Sequence, residues 1–205
     1  MAELAFSNQM RLPSEIQTER LVLQRWREQD AVALCPILEA NVAHLGPWIP
    51  ARVSTPAPVR ELEQRLAGFA SDFSADKEWR YAIHSRDDNQ LLGEAALFPR
   101  SPTGRVLFPD ADRVELGYWI RSDAAGQGLV SEASRALITL AASIREFSCV
   151  EIRCDARNAP SAAVPRRLGF GLASTIESPS VVPNAPPAQM QVWSLDLAPL
   201  RDTAA

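Results

Sequence analysis

The segment Glu115-Leu116-Gly117-Tyr118-Trp119-Ile120, followed by Ala125-Gly126-Gln127-Gly128-Leu129-Val130-Ser131-Glu132-Ala133, decides how the chain is read. Its first part alternates as a strand does. Val114, Leu116, Tyr118 and Ile120 share one face, and Glu115, Gly117 and Trp119 the other. The second part opens a helix over 129–144, with Val130, Ala133, Leu137, Ile138 and Ala141 at helical spacing. Between the two, a pair of glycines lets the backbone bend tightly and approach a ligand. The free N–H groups of the first helical turn, with the helix dipole behind them, then make an anion site.

A nucleoside-triphosphate loop needs Gly-Lys-Ser/Thr, and Leu129 follows Gly128. A dinucleotide fingerprint would use Ser131 and Glu151, but it belongs to the first unit of a parallel sheet. Here three strands come first: Trp79–His84, Leu91–Phe98 after an Asp-Asp-Asn turn, and Arg113–Ile120 after a proline- and glycine-rich loop. Further upstream, 19–26 reads as a strand, 28–41 as a helix that Pro36 should bend or split, 44–50 as a loop, and 59–73 as a helix. Downstream lie a strand at 150–154, a short helix at 161–168, extended chain from Gly169, a loop with four prolines and a last strand at 189–197. A meander followed by strand, glycine turn, helix, strand, helix and strand is mixed α/β. The expected organisation is a loose arm over 1–15, one domain over 16–198 and a tail over 199–205.

Composition bounds the function. The chain has 205 residues, 46% hydrophobic and 22% charged, enough for one cored domain and unlike a disordered chain. A net charge of -4 argues against a nucleic-acid partner, and no apolar run approaches the roughly 20 residues of a membrane span. Cys35, Cys149 and Cys154 are an odd, scattered set, which points to a reducing compartment and a cytoplasmic location. Only His44 and His84 are present, with no Cys-x-x-Cys, so no metal is expected. Lys77 is the only lysine, and the arginine-heavy cation set carries no message about substrate.

The quoted segments, with Asn158-Ala159-Pro160-Ser161 and Leu168-Gly169-Phe170, resemble the GNAT superfamily of acyl-CoA-dependent N-acyltransferases. Thr18-Glu19-Arg20-Leu21-Val22-Leu23 and His44-Leu45-Gly46-Pro47-Trp48-Ile49-Pro50 are similar to segments of its RimJ/RimL group, and the likeness spans roughly Ile16 to Ala173. It implies a mostly antiparallel central sheet with helices on both faces, acetyl-coenzyme A as co-substrate, and a primary amine as acceptor, either a protein N-terminus or a small molecule. It also makes a homodimer plausible. The amides of Ala125, Gly126, Gln127, Gly128, Leu129 and Val130 would hold the diphosphate. The strand edge at Tyr118, Trp119 and Ile120 would pair with the pantetheine arm and offer N–H groups to the oxyanion.

Aminolysis of a thioester needs a neutral amine, a stabilised oxyanion and a proton for the leaving thiolate. Glu115, beside Trp119, is the first candidate base, and Glu94 on the neighbouring strand the second. A solvated or salt-bridged strand glutamate is the competing reading for both. Asn158 and Ser161 match the family's Asn-x-x-Ser: the asparagine would contact the cofactor, and the serine would bond or protonate the thiolate. A plain helix cap uses the same residues. His44 and Trp48 are candidates for lining the acceptor cleft. Three departures from the family pattern bear on cofactor binding. Asp123 is acidic, Ala125 stands where an arginine is usual, and Pro165 should distort the short helix after its first turn. They keep open a catalytically weak acyl-CoA sensor or interaction module as the alternative.

Overall fold

The computed structural model describes residues 12–182 and 185–202, so residues 1–11 of the expected arm lie outside it. Among the described residues, nine strands form one sheet: β1 (Glu15–Gln17), β2 (Leu21–Arg25), β3 (Trp79–Ser85), β4 (Leu91–Ser101), β5 (Gly104–Arg105), β6 (Arg113–Ile120), β7 (Cys149–Asp155), β8 (Gly171–Ser178) and β9 (Ala188–Asp196). Their order is β1-β2-β3-β4-β6-β7-β9-β8, with β5 on the end of β4. All pairs are antiparallel except β6 with β7. The helices are α1 (Ala31–Ala40), α2 (Val42–Leu45), α3 (Ala51–Ser54), α4 (Val59–Ser74), α5 (Leu129–Ala142), α6 (Ala159–Arg167) and α7 (Ala198–Asp202).

Strand alternation divides the sheet into two unlike faces. Leu21, Leu23, Tyr81, Ile83, Leu97, Val114, Leu116 and Ile152 turn to one side, where α5 covers them with Ala133, Leu137, Ile138 and Ala141. On the other side Trp26, Ala82, Leu91 and Trp119 pack under α1 and α4 through Leu34, Leu38, Leu62, Leu66 and Phe69. This second core covers only part of its face. The remainder carries charged residues and forms the floor of a cleft.

The expected elements are present, with informative differences. Pro36 does not split α1, which runs unbroken. The carbonyl it leaves without a partner belongs to Val32, which is exposed, so water can satisfy it. The single turn α2 runs into the start of the loop expected at 44–50, and the single turn α3 follows directly after its end. Residues 198–202 are helical, and Arg201 donates to the carbonyls of Ala142, Ile144 and Phe147. Among the described residues no helix is long and apolar enough to cross a membrane.

Candidate active site

The sheet opens where its two parallel strands part. β6 and β7 pair only at Arg113↔Cys149, Val114↔Val150 and Glu115↔Glu151. Beyond that point β6 stays with β4 as far as Ile120, and β7 stays with β9 as far as Asp155. The edge of β6 from Leu116 to Ile120 therefore faces a gap with no strand partner. Unpaired strand edges bind extended chains that carry their own amides. The gap belongs to a cavity of about 780 Å³, which continues over the charged face of the sheet towards Trp48 and His44. His44 Nε2 donates to the Ile120 carbonyl at 3.1 Å and ties α2 to the end of β6.

At the far end of β6 comes the glycine turn. Gly126 and Gly128 have φ of 78° and 79°, a conformation open to glycine and costly for other residues. A side chain at Gly126 would project into open space rather than into protein. Among the described residues, no hydrogen bond uses the backbone N–H groups of 126–131. Ala125 is outside this set, because its N–H closes a turn on the Ser122 carbonyl at 3.3 Å. The array thus begins one residue later than the family pattern implies. Asp123, the acidic departure, faces solvent and is held by two 2.6 Å bonds from Arg121, which keep its carboxyl below the usual carboxylate range. A guanidinium nonetheless abuts the turn, on the side away from the main cleft. Arg20 donates to the Gln127 carbonyl at 3.0 Å and to Glu132 at 2.7 Å, which brings a guanidinium against the turn. Gln127 itself points away from the main cleft, into a neighbouring depression shared with Arg20 and Arg135.

Across the gap stands α6. Asn158 accepts from the Ser161 N–H at 3.2 Å and caps the helix, as the capping reading expects. The expected distortion at Pro165 is absent, and α6 continues through it to Arg167. Pro165 has no N–H to give the Ser161 carbonyl one turn back, and the Tyr118 hydroxyl donates to that carbonyl instead, at 3.0 Å. The same hydroxyl lies 3.4 Å from Ser161 Oγ. Burial raises the pKa of the Tyr118 hydroxyl well above the phenolic range, so it stays protonated. Burial likewise pushes the neighbouring Cys154 thiol up, which keeps it protonated and unreactive.

Both candidate bases sit on the charged floor, and both are ion-paired. Glu94 accepts from Arg80 at 2.7 Å and from the Trp26 indole at 2.7 Å. Glu115 accepts from Arg100 at 2.6 Å and from Arg105 at 3.1 Å. The salt-bridged reading therefore describes their resting state. A carboxylate offers about four acceptor directions, so each retains capacity for a substrate N–H. Glu78 and Glu151 extend the array: Glu78 receives Arg52 and Arg80, and Glu151 receives Arg113 and Arg153.

Residues 20–171 match the acetyltransferase (GNAT) domain family. The chain belongs to that family. It is 29% identical over 161 residues to the putative ribosomal N-acetyltransferase YdaF of Bacillus subtilis (strain 168), across 74% of this chain and 78% of that protein. The ribosomal L7/L12 alpha-N-protein acetyltransferase RimL, solved with coenzyme A, superimposes with a TM-score of 0.74 at 21% identity, covering 89% of this chain and 97% of that one. The microcin C7 self-immunity acetyltransferase MccE, solved with acetyl-CoA and AMP, gives 0.77 at 17% identity, covering 90% and 97%. These two likenesses concern the fold.

Membership makes the chain an acetyl-CoA-dependent acetyltransferase, and the cleft suits that donor. The unused amides from Gly126 to Ser131 fit a diphosphate, and the gap between β6 and β7 fits an extended, amide-bearing arm. His44, Trp48, Glu94, Glu115, Tyr118, Trp119, Ile120, Asn158 and Ser161 line one cavity, together with the glycine turn. Arg52, Arg80, Arg100, Arg105 and Arg153, which belong to no sequence motif, also line it. They come from α3, β3, β4, β5 and β7, so neither spacing nor periodicity links them.

Proposed function

We propose that the protein transfers the acetyl group of acetyl-CoA to the α-amine of a polypeptide N-terminus, by direct attack in a ternary complex. The reading rests above all on one cavity that joins the unpaired β6 edge to an open, charged trough. A thioester laid along the edge then meets an acceptor arriving over Trp48 and His44. The likeness to YdaF and RimL supports a polypeptide acceptor. The likeness to MccE, solved with AMP, favours a small-molecule amine as the second reading. An acyl-CoA sensor that transfers nothing is not favoured by these relatives.

In this mechanism the amine nitrogen attacks the thioester carbonyl carbon. N–H groups of β6 near Tyr118 to Ile120 stabilise the developing oxyanion. Glu115, directly or through water, removes the ammonium proton, with Glu94 as the alternative acceptor. The C–S bond then breaks, and the Ser161 hydroxyl gives the thiolate a proton or a hydrogen bond. Asn158 holds α6 and contacts the cofactor. Glu115→Gln should lower kcat by about 10²-fold or more and leave coenzyme A affinity near wild type; unchanged turnover would remove Glu115 from the mechanism. Incubation with acetyl-CoA, a peptide panel and a panel of small amines, read by mass spectrometry, tests the acceptor. Acetylation confined to small amines would overturn the polypeptide reading. We further place the enzyme in the cytoplasm, in keeping with its free thiols. We also read it as a homodimer, since the edge strand β8 turns Leu172 and Ile176 to solvent.

A further inference from the structure

We propose that the acceptor N-terminus is acidic, with Asp or Glu side chains directly after the residue that is acetylated. The inference rests on the polypeptide reading above and names the kind of sequence the site selects. It comes from the charge on the floor of the cleft. Arg52, Arg80, Arg100, Arg105, Arg113 and Arg153 are linked through only four glutamates, Glu78, Glu94, Glu115 and Glu151. Six guanidiniums against four carboxylates leave two positive charges. Asp112, bonded to Arg113 on the exposed side, offsets one of them and leaves a surplus of one.

The surplus lies at the open end of the array. Arg80 is 3% exposed and fully engaged by Glu78 and Glu94. Arg105 and Arg52 remain 45% and 53% exposed, each with a single glutamate partner. Arg105 is also fixed in place: its guanidinium lies 3.8 Å from the centre of the Phe98 ring. That ring crosses β6 at Gly117, where a Cβ would come within 3.0 Å of it. Arg105 therefore stands over the point where β6 leaves β7 and the cavity opens.

These cations are not placed to serve the donor. Glu115, which binds Arg100 and Arg105, lies five residues along β6 from Ile120, about 17 Å of strand before the chain even reaches the glycine turn. The phosphates of the donor belong at that turn. An anion at the Arg105 end must therefore arrive with the amine. Arginine forks suit carboxylates, and two partly exposed guanidiniums suit two successive acidic side chains.

The test uses two peptides of equal length, one beginning Ser-Asp-Glu and the other Ser-Asn-Gln, with acetyl-CoA and a small-amine control. The wild-type enzyme should prefer the acidic peptide in kcat/KM by about tenfold or more, the size of one charge-assisted hydrogen bond. The preference should shrink as salt is added. Arg105→Gln should bring the ratio towards one, Arg105→Glu should reverse it, and Arg52→Gln, on a separate helix, should lower it independently. Equal kcat/KM for the two wild-type reactions, or a ratio unmoved by all three variants, would overturn the inference alone. Acetylation of the small amine but of neither peptide would overturn the polypeptide reading and the inference with it.

Discussion

Tyr118 and Pro165 are coupled through a single carbonyl, and the coupling can be measured. The Ser161 oxygen would ordinarily accept from the N–H of residue 165, one helical turn on. Proline removes that donor, and Tyr118 supplies another at 3.0 Å. Tyr118→Phe takes the replacement away and leaves the carbonyl with no protein donor. A fully buried unsatisfied carbonyl costs about 1–3 kcal/mol. Both residues here are only half-buried, which puts the loss near the lower bound, about 1 kcal/mol. For a chain of this size that is roughly 2–4 °C in Tm. Pro165→Ala restores the N–H and also removes a helix-disfavouring residue, so on its own it should stabilise. The informative quantity is the double-mutant cycle in urea unfolding, where that propensity gain cancels. Tyr118→Phe should cost about 1 kcal/mol less in the Pro165→Ala background than in the wild type. Costs equal in the two backgrounds to within about 0.3 kcal/mol would refute the shared-carbonyl account.

Gly126→Val should abolish coenzyme A binding measured by calorimetry, because a side chain there enters the space in front of the unused amides, and its φ of 78° strains any other residue; retained affinity would move the anion site elsewhere. Arg80→Met should cost about 3–5 kcal/mol in urea unfolding, since it leaves Glu78 and Glu94 buried without their shared cation. Adding Glu78→Gln and Glu94→Gln should recover much of that loss; no recovery would mean that Arg80 acts through packing on Phe69 and Phe98 instead. For Glu132, burial favours the neutral form, but bonds from the Thr18 hydroxyl and from Arg20 outweigh it and hold the carboxyl below its ordinary value. A depressed carboxyl contributes stability at neutral pH and loses it as pH falls through the folded value. Glu132→Gln should therefore flatten the loss of stability below about pH 4, and an unchanged acid limb in a pH series of Tm would contradict the assignment.

The fold was legible because its signals are local. Alternation in β6, the two glycines before α5 and the stripe Leu62, Leu66, Phe69 and Phe73 in α4 each lie within one segment. The candidate site was legible to the extent that it is built from those segments, which is why Glu115, Asn158, Ser161 and the glycine turn line one cavity. Three things were hidden, and each depends on distance in sequence. Arg20 reaches the turn from more than a hundred residues upstream. Pro165 reads as a helix breaker until Tyr118, 47 positions earlier by residue number, is seen to take the missing bond. The floor arginines are ordinary strand residues one at a time. Only the antiparallel register, which sets Ala82 beside Glu94 beside Trp119 and Phe98 beside Glu115, brings them onto one surface.

That surface also explains why one sheet has two such unlike faces. Against α5 the strands bury Leu, Ile, Val and Ala, which stabilises the fold through apolar area alone. On the opposite face a chain of ten ionised groups lies under a partly open cleft. Removing such groups from water costs about as much as their mutual attraction returns, so a network of this kind adds little net stability, and apolar residues of similar volume would serve packing as well. What the charged face supplies is fixed direction. Arg80, held by Glu78 and Glu94 and by the rings of Phe69 and Phe98, and Arg105, held by Glu115 and the Phe98 ring, have little freedom to reorganise when an acceptor enters. In the proposed reaction their donors and charge would already be aligned before the amine reaches the thioester, and transfer to an amine would require that prior alignment of its floor.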